Sequence, residues 1–171
     1  VEDALVLAAK SFGEMGMHYL PIAARAVSAY IAQTIFNESE IVAVEHEAKA
    51  VLRWEQEYVN ARPDREGKAF RLTQRFDLVS KDKAGKFWIT DHKFVARILG
   101  KTVTRYTLSS QFHLMLWFGQ ALYGDDFGGA RINLIECPEK ADHPVKTLQL
   151  PVEPAPWAVR HFVRNVLDHE E

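Results

Sequence analysis

The sequence predicts a mixed α/β fold (α+β by its element order), with a central mixed β-sheet flanked by helices. Three observations predict it. Apolar residues near the N-terminus recur at helical spacing, from Ile41 onward the period changes to two, and a strong helix then separates two groups of strands. The resulting order, ααβββαβ(β)α, puts an antiparallel hairpin before a helix–strand unit, which closes into a mixed sheet with helices on its faces. The 171 residues are enough for one domain with a substantial core. We therefore read 1–171 as a single domain, with N-terminal helices in 1–36, a core over 41–138 and a closing helix over 154–169.

The elements follow in order. Leu5, Ala8, Ala9, Phe12 and Met15 share a helical face until Pro21 is expected to interrupt it, and a second helix over 22–36 offers Ile22, Ala26, Ala29, Tyr30 and Ile35 to the core. Asn37 to Glu40 reads as the turn that ends it. Ile41–Leu52 alternates and is rich in β-branched residues, as a strand requires, whereas 55–68 is polar with Pro and Gly and reads as an exposed connection. Phe70–Ser80 and Lys86–Phe94 are two more strands, joined by a turn short enough for a hairpin. Thr107–Tyr123 presents Leu108, Phe112, Met115, Gly119 and Leu122 on one face and stops at Gly124. Gly129–Cys137 and Thr147–Leu150 complete the strands, and Pro154 and Pro156 suit the first turn of the last helix.

Composition narrows the function. Apolar residues make up 47% and charged residues 26%, a globular balance, and no apolar run approaches the roughly 18 residues of a membrane span. The opening VEDALVLAAK has no basic segment ahead of an apolar one, so no secretory signal, no membrane partner and a cytoplasmic (intracellular) setting are expected. The single cysteine, Cys137, excludes an internal disulfide, a multi-cysteine zinc site and a four-cysteine iron–sulfur cluster; it reads as a half-buried thiol near a strand end. The net charge of −2 is unevenly spread: residues 62–105 carry twelve Lys or Arg against five Asp or Glu. Such a cluster is what a phosphate backbone needs, and Arg71, Arg75, Arg97, Lys101 and Arg105 are its candidate DNA contacts.

One constellation carries chemistry. Alternation in Phe87–Lys93 puts Phe87, Ile89, Asp91 and Lys93 on one face, and an acid and a base so placed in an apolar strand are expensive to bury without a purpose. Asp77 stands between Phe76 and Leu78 in the partner strand. If the strands form a hairpin, Asp77 and Asp91 lie close, and they would repel unless a hard divalent cation lay between them. Bound Mg²⁺ or Mn²⁺ would acidify a water and neutralise charge on phosphoryl oxygens. The backbone carbonyl of His92 is a further candidate ligand, and Lys93 is placed to orient the hydroxide or stabilise the pentavalent transition state.

These residues bring the chain to a known family. Ile41–Glu47, Arg75-Phe76-Asp77-Leu78-Val79, Trp88-Ile89-Thr90-Asp91-His92-Lys93 and Gln111 resemble, in order and spacing, the PD-(D/E)xK nuclease superfamily. Within it the match is to the RecB-like and Cas4-like phage exonuclease branch, over a little more than half of the chain. The resemblance implies a restriction-endonuclease-like core over 41–138 and a metal-dependent deoxyribonuclease, in its exonuclease form acting in phage or bacterial recombination, repair or DNA processing. A recombination or helicase protein would be its partner. It implies Asp77 and Asp91 as metal ligands, Lys93 as the catalytic lysine and Gln111 as a residue positioning the DNA or the site. It also implies an upstream Glu or His ligand, for which Glu45 is the first candidate and His18 and His46 the alternatives. Glu45 and Glu47 share a face with Ile41 and Ala43, so at least one is expected to be half-buried. The chain departs from the family at Gln74 or Arg75 (often Gly), Phe94 (Thr) and Met115 (Tyr), and lacks the four cysteines that hold an iron–sulfur cluster in many Cas4-like members. Two alternatives stay open: a non-cleaving nucleic-acid-binding module on the same fold, and a structure-specific endonuclease.

Overall fold

A computed structural model of the protein describes residues 13–32, 39–53, 66–67, 69–107, 109–138, 140, 142–152, 161 and 164. Helix α1 (Gly13–Ile31) precedes strands β1 (Glu40–Arg53), β2 (Ala69–Lys81) and β3 (Phe87–Val95). Helices α2 (Gly100–Thr107) and α3 (Ser110–Tyr123) follow, then a 3₁₀ turn, β4 (Phe127–Glu136) and β5 (Thr147–Val152). The strands form one sheet in the order β1-β2-β3-β4-β5, antiparallel throughout except for the parallel β3–β4 pair. That pair needs a crossover, and α2 and α3 supply it. The fold is thus the mixed α/β class that the sequence predicts.

The core forms where β4 meets α3. Along β4, Ala130, Ile132 and Leu134 face Phe112, Met115 and Phe118 of α3, while Ile135 turns to the opposite side and meets Ala26 and Tyr30 of α1. With both faces covered, β4 reads as an almost continuous apolar run. Gly119 lets α3 approach closely: a Cβ there would lie 2.1 Å from the Phe127 ring. The hairpin between β2 and β3 is tied by Asp82, whose carboxylate accepts the Lys86 amide and the Trp88 indole N–H, each at 2.9 Å.

Several boundaries depart from the sequence reading. Pro21 lies inside α1 rather than ending a helix. It removes one backbone donor, but Ala26 and Tyr30 downstream pack on the sheet, and tertiary packing stabilises a helix more than local propensity does. The helix expected from Thr107 begins at Ser110, and the short helix α2, which the sequence reading did not include, ends at Thr107. Leu122 is exposed rather than facing the core. Leu108 and Ile35 lie outside the described residues, as do residues 1–12 and most of the closing helix expected over 154–169.

Candidate active site

The site lies where β2 and β3 part. Their paired residues run from Lys81↔Phe87 to Leu78↔Thr90, and the next pair in this register is Asp77 and Asp91. There the pairing ends. The amide of His92, instead of meeting a backbone carbonyl of β2, donates to Asp77 Oδ2 at 2.8 Å. In an extended residue the N–H and C=O point to the same edge, so the His92 carbonyl faces the same gap.

Asp91 is the buried member, with its side chain only 5% exposed. Gln111 of α3 donates to its Oδ1 at 2.7 Å, and Lys93 Nζ stands 2.8 Å from its Oδ2. The ammonium approaches that oxygen off its hydrogen-bonding directions, so Oδ2 has a countercharge without a well-directed donor. Burial pushes the Asp91 carboxyl up, more than Lys93 lowers it, and the charge of Asp77 adds to the rise. Asp77 is pulled the other way, chiefly by the His92 side chain beside it and also by the His92 amide and Lys93. The two carboxylates therefore feel one another while their proton affinities are driven apart, a pattern common to catalytic pairs. Asp77, Asp91, Lys93 and Gln111 come together as the sequence implies.

Behind β3 runs a polar chain that sequence reasoning did not single out. Gln149 of β5 donates to Asn133 Oδ1 at 2.9 Å, Asn133 Nδ2 donates to the Tyr30 hydroxyl at 2.5 Å, and that hydroxyl lies 2.5 Å from His92 Nε2. His92 Nδ1 is 3.6 Å from Asp77 Oδ2. The available signal was Asn133, one amide inside the apolar run of β4.

Other candidates fall elsewhere. Glu45 stands opposite Asp77 in the β1–β2 register, but its φ of 50° interrupts the pairing and its carboxylate, 58% exposed, is held by Arg75 Nε at 3.0 Å. Neither it nor Glu47, which pairs with Lys49, is half-buried as expected, because β1 is an edge strand whose first half is largely exposed. Among the described residues no group of three or more His, Cys, Asp or Glu side chains gathers as a metal site, so Glu45 does not join the aspartates. His46 is exposed and stacks on Phe76, and the His18 side chain lies outside the described residues.

The basic residues divide into two groups. Arg71 and Arg75 are exposed on β2, with Arg75 engaged by Glu45. Arg97, Lys101 and Arg105 line a cleft of about 1010 Å³ at the carboxyl end of β3, beginning at Phe94, the residue after Lys93. Tyr106 and Lys140 complete its cationic, partly aromatic wall, and the described lining holds no acidic residue. Cys137, half-buried just past β4, also lines it.

Comparison with known proteins adds little to this geometry. No protein-family model matches the chain, and no curated protein does. A solved structure titled "Crystal structure of SSO0001" is similar over 99% of this chain and 67% of its own, at 11% identity and a TM-score of 0.48.

The donor set suits a hard divalent cation. Asp91 Oδ2 is buried without a well-directed donor, and Asp77 Oδ1 takes no hydrogen bond from a described residue. Two carboxylate oxygens and a carbonyl are an all-oxygen set, and an ion such as Mg²⁺ completes such a set with waters and substrate phosphates.

Proposed function

We propose that this chain is a Mg²⁺- or Mn²⁺-dependent deoxyribonuclease that hydrolyses phosphodiester bonds, acting as an exonuclease in DNA processing. The observation that carries this reading is the parting of β2 and β3 at Asp77 and Asp91, with Lys93 2.8 Å from the buried Asp91. A divalent cation bound there would polarise the scissile phosphate and acidify a water. Asp77 and Asp91 would hold it, and the His92 carbonyl faces the same gap. Gln111 fixes the Asp91 carboxylate through Oδ1, so the other oxygen keeps its aim. Lys93, whose ammonium stands beside Asp91, would keep a positive charge near the reacting phosphate, where negative charge builds up. The cationic cleft lined by Arg97, Lys101 and Arg105 supports a phosphate-backbone substrate, which would run from the cleft past Lys93.

The test is digestion of end-labelled linear single- and double-stranded DNA with Mn²⁺, comparing the native chain with Lys93→Ala. Loss of full-length DNA with the native chain alone is the expected result, and mononucleotide release distinguishes exonuclease from endonuclease action. No cleavage by either refutes the reading in favour of a non-cleaving module, and equal cleavage by both refutes hydrolysis at this lysine-dependent site.

A further inference from the structure

Resting on that reading for its consequence, we propose that Tyr30 is a positioning residue of the metal-binding pair: it holds the His92 imidazole in the tautomer whose Nδ1–H faces Asp77.

The direction of the chain behind β3 is read from its last member. Nδ1 faces Asp77 Oδ2 at 3.6 Å, too far for a hydrogen bond, and the negative carboxylate favours the tautomer with the proton on that nitrogen. In a neutral imidazole Nε2 is then bare and must accept. The Tyr30 hydroxyl, 2.5 Å away, is its donor, and that hydroxyl's own oxygen accepts from Asn133 Nδ2 at 2.5 Å. The same amide group lies 3.4 Å from Nε2, a placement that suits a bare ring nitrogen there. Gln149 donates to Asn133 Oδ1 and so prevents the amide from turning over. Reversing the chain would put the lone pair of Nδ1 against the Asp77 carboxylate. Three hydrogen bonds therefore point one way, from β5 through β4 and α1 to the His92 ring on β3, whose Nδ1 faces Asp77.

Tyr30 and Asn133 are both buried, so water does not substitute for either partner. Burial pushes the Tyr30 hydroxyl up to about 12, which keeps it a donor. The Tyr30 ring meets the His92 ring edge-on at 5.0 Å, so the helix also fixes the plane of the imidazole. Groups that orient a ligating carboxylate are part of the metal site's affinity, and their loss typically weakens binding about 10–100-fold. Residue 30 thus reaches the site across 62 positions of sequence.

The experiment uses the full chain labelled with ¹⁵N-histidine, together with calorimetric titration of Mn²⁺. The chain has seven histidines, so a His92→Gln variant assigns the His92 signals. In its neutral form, His92 is expected to show a protonated Nδ1 and a bare Nε2. Tyr30→Phe keeps the ring and removes only the donor. It is expected to mix the two tautomers and to weaken Mn²⁺ binding about 10–100-fold. A proton on Nε2 in the native chain overturns the proposal, as does a Tyr30→Phe chain with unchanged tautomer and unchanged Mn²⁺ affinity. Should Tyr30→Phe fail to fold, Gln149→Met at the half-buried far end of the chain is expected to mix the tautomers as well, and an unchanged tautomer there counts against the proposal. A native chain that binds no Mn²⁺ refutes the nuclease reading instead, while the tautomer still decides the role of Tyr30.

Discussion

Removing the lysine ammonium should destabilise the protein and, at the same time, make it more responsive to metal. In Lys93→Ala the carboxylate of Asp91, 5% exposed, loses a countercharge at 2.8 Å and keeps, among the described residues, the Gln111 amide as its donor. Breaking a fully buried pair costs about 3–5 kcal/mol, and because the Lys93 side chain is 25% exposed, water screens part of the interaction. A loss of about 2–3 kcal/mol is the reasoned value. For a chain of 171 residues each kcal/mol moves Tm by about 2–4 °C, so in EDTA the variant should melt about 4–12 °C below the native chain. The deficit should shrink on acidification: the Asp91 carboxyl is already raised, losing Lys93 raises it further, and protonation removes the charge that is poorly tolerated. Mn²⁺ at about 100 times its Kd stabilises by about 2.7 kcal/mol. It should raise Tm more in Lys93→Ala than in the native chain, since it supplies the missing positive charge. Differential scanning fluorimetry across pH, with and without Mn²⁺, reads all of this. A variant melting within 1 °C of the native chain in EDTA, or stabilised less by Mn²⁺, would refute the reasoning.

Three further outcomes are expected. Gln111→Leu removes the donor to Asp91 Oδ1 at 2.7 Å and should weaken Mn²⁺ binding about tenfold by calorimetry, with the circular dichroism spectrum unchanged. Gly119→Ala places a Cβ 2.1 Å from the buried Phe127 ring, so ring and helix must shift; the melting temperature should report a loss of at least about 1–3 kcal/mol. Alanine substitution of Arg97, Lys101 or Arg105, all exposed along the cleft, should each flatten the salt dependence of single-stranded DNA affinity by about 0.7 in log–log slope, measured by fluorescence anisotropy in EDTA.

The fold class was legible because period-two runs over β1, β2 and β3 and the helical face of α3 are strong local signals, and the hairpin turn is written in Asp82 to Gly85. Local patterning misplaced Pro21, since what keeps α1 helical there is the distant packing of Ala26 and Tyr30 on Ile135. Helix α2 passed unnoticed because its eight residues, GKTVTRYT, hold no sustained apolar stripe. At the site, Asp77, Asp91 and Lys93 could be read because two neighbouring strands bring them together. Gln111 could be placed by helical spacing. The Tyr30–Asn133–Gln149 chain could not, since its members lie on three elements that no sequence period links. Glu45 misled for a related reason: its register position opposite Asp77 is right, but a positive φ redirects a side chain that alternation alone would have aimed.

The parting of β2 and β3 also bears on the order in which the site can assemble. Asp77 and Asp91 are fourteen residues apart on two strands of one hairpin, and hairpins close in about 1–10 μs. Gln111 reaches Asp91 only after the crossover has docked, and Tyr30 only after α1 has covered the other face. Contacts of long sequence separation form slowly because loop closure precedes their reward. A cation could therefore meet both carboxylates while most of the chain is still unpacked, and act as an early staple on the hairpin. The amide, the imidazole and the buried hydroxyl would then organise around an ion already in place.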